Sequence, residues 1–247
     1  MKKGCWIAGA ILITLGMIIF FIGAGLSAGS MEYQTAEKSF GGGIQSIHVD
    51  CAAEDVYIRP STDGEFHVLC SVPSGMGYDI KVIEGTLTVT TQKEILDYFT
   101  FFDFGYEAKI TIQLPVMNTV VCFESLTVDT ASGDIHVAEQ LLFRRCDLNT
   151  ASGDVIFKGD VQGKMNIETT SGDITVEDVS QAPAYECILN STSGSVTAKN
   201  LNATAFIVET TSGDVLLENC KFGALTANAV SGEIELEGVD ADECYIR

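Results

Sequence analysis

A Ser-Gly pair recurs six times in the second half of this chain, on Ser132, Ser152, Ser171, Ser193, Ser212 and Ser231, at intervals of 20, 19, 22, 19 and 19 residues. So regular a period restricts what the chain can fold into. A unit of about twenty residues has no core of its own, so it must bury its apolar face against copies of itself.

The flanks of each serine show how. Six residues before it stand Leu126, Cys146, Met165, Cys187, Phe206 and Leu225, and four before it stand Val128, Leu148, Ile167, Leu189, Val208 and Ala227. Two before it come the small residues Thr130, Thr150, Thr169, Ser191, Thr210 and Ala229. That is the period of a strand with one buried face. Past the turn, Ile135, Val155, Ile174, Val196, Val215 and Ile234 open a second strand, followed two residues on by Val137, Phe157, Val176, Ala198, Leu217 and Leu236. A third apolar contact falls at Leu141, Val161, Val179, Leu201, Cys220 and Val239. Each repeat therefore reads strand, tight turn, strand, looser corner, and the fold class expected is all-β: a β-solenoid of 19–20-residue coils, regular from about residue 120. Each buried apolar side chain contributes about 1.5–3 kcal/mol as an upper estimate, so six per coil offset the ordering cost only if every column is filled.

At the tight turn, Gly133, Gly153, Gly172, Gly194, Gly213 and Gly232 are expected to supply a positive φ, which is cheap only for glycine. The next position reads Asp134, Asp154, Asp173, Ser195, Asp214 and Glu233. Stacking would align these carboxylates along one edge, where a divalent cation such as Ca²⁺ would relieve their repulsion. The calcium-binding β-roll pattern is absent, however, and side chains beside a turn also bond its own backbone. The expectation is a solvated turn column, with cation binding as the minority reading and no cofactor.

The first thirty residues are of another kind. Met1–Lys3 is basic and Gly4–Ser30 carries no charge, a run long enough to cross a bilayer. The expected organisation is a cytoplasmic stub and membrane anchor over 1–30, a linker over 31–43 and an extracytoplasmic repeat domain over 44–247, oriented by Lys2 and Lys3. A cleaved signal peptide is the competing reading. Beyond the anchor, 12 Lys and Arg face 34 Asp and Glu, a net charge of −22 that repels nucleic acid and anionic headgroups.

Upstream of residue 120 the template holds loosely. Ile47, Val49 and Cys51 fill a first strand and Val56 and Ile58 a second, with Ala53-Glu54-Asp55 in place of Ser-Gly-Asp. Phe66, Val68 and Cys70 repeat the first-strand spacing nineteen residues on. Residues 44–119 are expected to be degenerate coils or a small sheet continuous with the solenoid. Within them, Tyr98, Phe99, Phe101, Phe102, Phe104 and Tyr106 crowd into one loop, expected to cap the solenoid or, failing that, to meet a partner.

Cysteine usage argues against a disulfide framework, because setting aside Cys5 leaves seven, an odd number. Cys146, Cys187 and Cys244 fall in one inward column but not in adjacent coils, and Cys51 and Cys70 are the pair that the template brings together. Free thiols outside the membrane would suit an oxygen-poor habitat. His48, His67 and His136 lie in strands without metal-ligand spacing, and neither a nucleophile elbow nor a phosphate loop occurs.

The succession "ITIQLP", "SLTVDTASGDI" and repeated T-x-S-G-D-[IV] turns after one apolar segment resembles the bacterial "putative adhesin" family, a domain of unknown function built of β-strand repeats. The resemblance spans about residues 40–247. It implies a β-solenoid or β-roll, an extracytoplasmic location, in some members a link to envelope-stress operons, and no catalytic residues. Ser195, Glu233 and the aromatic insert depart from the pattern. The function expected is a membrane-anchored, non-enzymatic binding, adhesion or scaffolding surface of the cell envelope. Envelope-stress accessory, glycan-active β-helix enzyme and self-assembling filament are the alternatives, and the envelope protein or glycan partner is left open.

Overall fold

A computed structural model describes residues 33–73, 77–92, 108–116, 121–179 and 184–247. Both the apolar N-terminal segment and the aromatic insert lie outside them. Among the described residues the chain is all-β, and no helix is long and apolar enough to cross a membrane.

Seven strands precede the regular repeats: β1 (Tyr33–Phe40), β2 (Ser46–Asp50), β3 (Asp55–Ser61), β4 (Phe66–Pro73), β5 (Gly77–Ile83), β6 (Thr86–Gln92) and β7 (Lys109–Pro115). From there long and short strands alternate: β8 (Cys122–Thr130), β9 (Ile135–Val137), β10 (Leu142–Thr150), β11 (Val155–Phe157), β12 (Asp160–Thr169), β13 (Ile174–Glu177) and β14 (Ala184–Ser191). The series closes with β15 (Val196–Lys199), β16 (Asn202–Thr210), β17 (Val215–Glu218), β18 (Lys221–Ala229), β19 (Ile234–Glu237) and β20 (Asp240–Ile246).

They form two ten-stranded sheets. The long strands of the repeats lie in one, ordered β20-β18-β16-β14-β12-β10-β8-β2-β6-β5, and the short strands of the repeats lie in the other, ordered β1-β4-β7-β3-β9-β11-β13-β15-β17-β19. Pairing between windings is parallel and in the register that the repeat implies: Leu126 lies beside Cys146, Cys146 beside Met165 and Met165 beside Cys187. Equivalent side chains therefore pile into continuous inward columns, and from Leu126 to Phe206 every member of the first column is fully buried. Two aromatic contacts add to the pile, Phe123 against Phe143 and Phe206 stacked on Phe222 at 4.5 Å between ring centroids. In the last winding Ile234, Leu236 and Val239 are only partly buried, because among the described residues no further coil covers them.

The upstream half belongs to the same two sheets, but in a different order from the chain. The β2–β3 winding sits between β8–β9 on one side and β6–β7 on the other. Phe66, Val68 and Cys70 do not make the first strand of another coil. They lie in β4, which runs antiparallel between β1 and β7 in the sheet of second strands, while β5 runs antiparallel to β6. Alternation is the same for both strand directions, so the spacing could not tell them apart.

The tight corner also differs from expectation. None of the six repeat glycines has a positive φ. Glycine is required there because the windings touch backbone to backbone: a Cβ on Gly153 would lie 2.0 Å from the Gly133 carbonyl oxygen, and one on Gly213 2.0 Å from that of Gly194. Glu54 occupies the glycine position of the β2–β3 winding, and its carbonyl is what Gly133 packs against. The left-handed backbone lies at the other corner, on Gln140, Asp178, Asn200, Asn219 and Gly238, chiefly the residue types that tolerate it best.

Candidate binding surface

Two polar ladders hold the tight corner. At Thr150, Thr169 and Ser191 the buried hydroxyl two residues before the repeat serine accepts from the glycine N–H of its own winding and donates to the glycine carbonyl of the winding before. Thr169 accepts from Gly172 at 3.1 Å and donates to Gly153 at 3.2 Å, and Ser191 does the same with Gly194 and Gly172. One step along, Asp134 Oδ1 accepts the Asp154 N–H at 2.8 Å, Asp154 Oδ1 that of Asp173, Asp173 Oδ1 that of Ser195 and Asp214 Oδ1 that of Glu233. Ser195 fills the same place with its hydroxyl, accepting from Asp214 at 3.4 Å, and Asp55 does so for Asp134. The acidic column that the sequence raised as a cation edge thus has one oxygen of each aspartate committed to the next winding's backbone.

A second column went unremarked in the sequence. Three residues before each serine stand Asp129, Asn149, Glu168, Asn190, Glu209 and Asn228, side by side in register on the outer face of the long-strand sheet. Acid and amide alternate. Like charges on neighbouring parallel strands, ~4.8 Å apart, would repel, whereas an intervening amide doubles their separation and donates a hydrogen bond. Asn149 Nδ2 donates to Asp129 Oδ1 at 2.9 Å and Asn228 Nδ2 to Glu209 Oε1 at 3.0 Å. The column floors a groove of ≈ 1020 Å³ that runs across successive windings from Asn149 to Arg247, with Thr170, Thr192 and Thr211 along its rim. The Oδ1 atoms of Asn190 and Asn228 are shielded and meet no donor among the described residues. Writing out the columns one residue at a time would have exposed the alternation.

Elsewhere, Asp63, Glu65 and His67 bring their ligand atoms within 4.8 Å of one another, a grouping that the strand placement of His67 did not suggest. Its hydrogen bonds give it a structural reading. His67 Nε2 meets Asp63 Oδ2 at 2.9 Å and its Nδ1 meets Ser39 Oγ at 2.9 Å, tying the β3–β4 connection to β1. The hydrogen bond from His67 pulls the Asp63 carboxyl down to about 2, and the same bond raises the imidazole above its ordinary value. Glu54 is buried, with Oε2 accepting from the Ala52 and Ala53 N–H groups and Oε1 from the Thr91 hydroxyl.

The described thiols are all free. Cys51 lies just past β2 and Cys70 in β4 between Ala36 and Ile110, so the pair that the template brought together does not form. Burial pushes both thiols up to about 12 and holds Cys146 and Cys187 well above the ordinary thiol range. Cys244 sits in the expected column beside Leu225 but is exposed, since no coil covers it among the described residues.

Comparison with known proteins agrees with this architecture. A lipid-binding protein candidate from Parabacteroides distasonis ("putative lipid binding protein") superposes with a TM-score of 0.52 at 16% identity, over 86% of this chain and 94% of its own. A "putative adhesin" from Bacteroides fragilis gives 0.48 at 18% identity, over 86% and 96%. Another from Parabacteroides merdae gives 0.48 at 12% identity, over 89% and 98%. No curated protein sequence matches. The family model described as Toastrack DUF4097 matches residues 44–245, the span of the two stacked sheets from β2 to β20, and the chain belongs to that family.

Proposed function

We propose that the protein is a non-enzymatic binding or adhesion protein of the bacterial cell envelope, anchored in the membrane through residues 4–30 with its solenoid outside. The observation that carries this reading is the in-register outer face, on which one side-chain position is repeated at every winding over the whole length of β8 to β18. Such an array suits many weak, identical contacts with an extended partner. The net charge of −22 beyond residue 30 supports a partner that is neither nucleic acid nor an anionic lipid surface. Crosslinking on intact cells with a membrane-impermeant reagent, followed by recovery of the full chain, tests it. Capture of an envelope component is expected, and a chain that is inaccessible to the reagent overturns the reading.

A second reading, self-association, is favoured by one observation. Among the described residues β19 and β20 each pair on one side only, and Val230 at 78%, Tyr245 at 57% and Ile246 at 47% exposure line that end. Sedimentation of the full chain in detergent over a range of concentrations would reveal it, and a concentration-independent monomer excludes it.

A further inference from the structure

We propose that the groove along the Asn149–Asn228 column is a binding site for a neutral, polyhydroxylated sugar chain laid across successive windings. The inference rests on the binding reading above and names its ligand class.

The floor supplies mostly acceptors. The amide nitrogens of Asn149 and Asn228 already donate within the column, and the Oδ1 atoms of Asn190 and Asn228 are shielded from an occupant. The carboxylates of Glu168 and Glu209 are the acceptors that line the groove, so an occupant has to bring donors, as hydroxyls or as ammonium groups. Three features favour hydroxyls. The acids never stand on adjacent windings, so the groove is not an unbroken anionic track of the kind that draws a polycation. The Thr170, Thr192 and Thr211 hydroxyls on the rim both donate and accept, matching a ligand that does the same. Beside the floor, Ile188 and Ile207 pair on adjacent strands and face outward with Asn190 and Glu209, a half-buried apolar strip on an otherwise polar face. A sugar ring has a C–H face to lay on that strip, and an ammonium group does not. The step between windings, ~4.8 Å, is close to the length of one sugar unit in an extended chain, so successive units meet successive windings. Anionic polymers are disfavoured by the acids themselves.

Isothermal titration of the full chain in detergent with cellohexaose and with N-acetylchitohexaose tests the proposal and separates plain from acetamido sugars. Binding of at least one is expected. Glu168→Ala with Glu209→Ala weakens it about tenfold or more, through loss of hydrogen bonds in the groove. Glu177→Gln, on the other sheet, leaves it unchanged. An unaltered thermal midpoint in the double variant shows that the fold is intact. Binding of neither sugar, binding that ignores the groove variant, or selective binding of oligolysine abolished by high salt each overturns the site. Surface crosslinking of the double variant keeps the two levels apart: continued capture of an envelope component alongside absent sugar binding discards this groove and leaves the wider reading standing.

Discussion

A Cβ placed on Gly172 would lie 1.8 Å from the carbonyl oxygen of Gly153, one winding away. No flexible group is available to yield, since the atom in the way is backbone. Gly172→Ala is therefore expected to destabilise by about 3 kcal/mol or more, because two windings must separate to admit one methyl group. Thr175→Val, two residues past the turn aspartate and partly exposed, stays within about 0.5 kcal/mol. Urea unfolding of the two variants checks this, and equal midpoints contradict the stacking account.

Thr169 serves two backbone groups at once, and valine has its shape without its hydroxyl. Thr169→Val leaves the Gly172 N–H and the Gly153 carbonyl without that partner, at a cost of about 1–3 kcal/mol. Thr169→Ser keeps both bonds and loses less. Thermal unfolding in that order, valine well below serine, is the expected result.

The aspartate column caps the backbone of the next winding. Asp154→Asn retains an Oδ1 acceptor for the Asp173 N–H and is expected to be near neutral, whereas Asp154→Ala removes it and costs about 1 kcal/mol. Millimolar Ca²⁺ is expected to leave the melting temperature of the parent unchanged. A rise that grows with calcium concentration would show binding to the folded state.

The His67–Asp63 pair carries a pH dependence of definite sign. Asp63 has a lowered folded value, so its contribution is complete above about pH 4 and fades as pH falls towards 2. His67 has a raised value, so its contribution is complete below about pH 6.5 and fades as pH climbs through the folded midpoint. The tie between β1 and the β3–β4 connection is therefore strongest in the window between. An imidazole NMR titration of His67 is expected to give a midpoint above 6.5, falling back to the ordinary value in Asp63→Asn.

Burial governs the thiols. Iodoacetamide is expected to label Cys244 in the native chain, while Cys146 and Cys187 react only after denaturation, since desolvation disfavours their thiolates. Mass spectrometry of the labelled peptides reads the order directly.

How much of this was legible in the chain depends on the range of the interaction. Strand alternation and a constant period are properties of neighbouring residues, so the sequence alone determined the stacked coils, the inward columns from Leu126 and Ile135 onward, the turn and the looser corner. Placing Glu54 and Asp55 in the turn of an early winding was equally within reach. Strand direction was not, because Phe66, Val68 and Cys70 alternate identically whether β4 runs with its neighbours or against them. The acid–amide column was written in the chain at every nineteenth to twenty-second residue, yet it has meaning only once Asn149 is known to lie between Asp129 and Glu168.

The tertiary structure alone decided why glycine occupies the sharp corner and which corner carries the left-handed backbone. A glycine in a sequence announces that a side chain is excluded, without saying whether by a dihedral angle or by a neighbour. Here the neighbour is the preceding winding's carbonyl, some twenty residues away along the chain and in contact only because the coils are stacked.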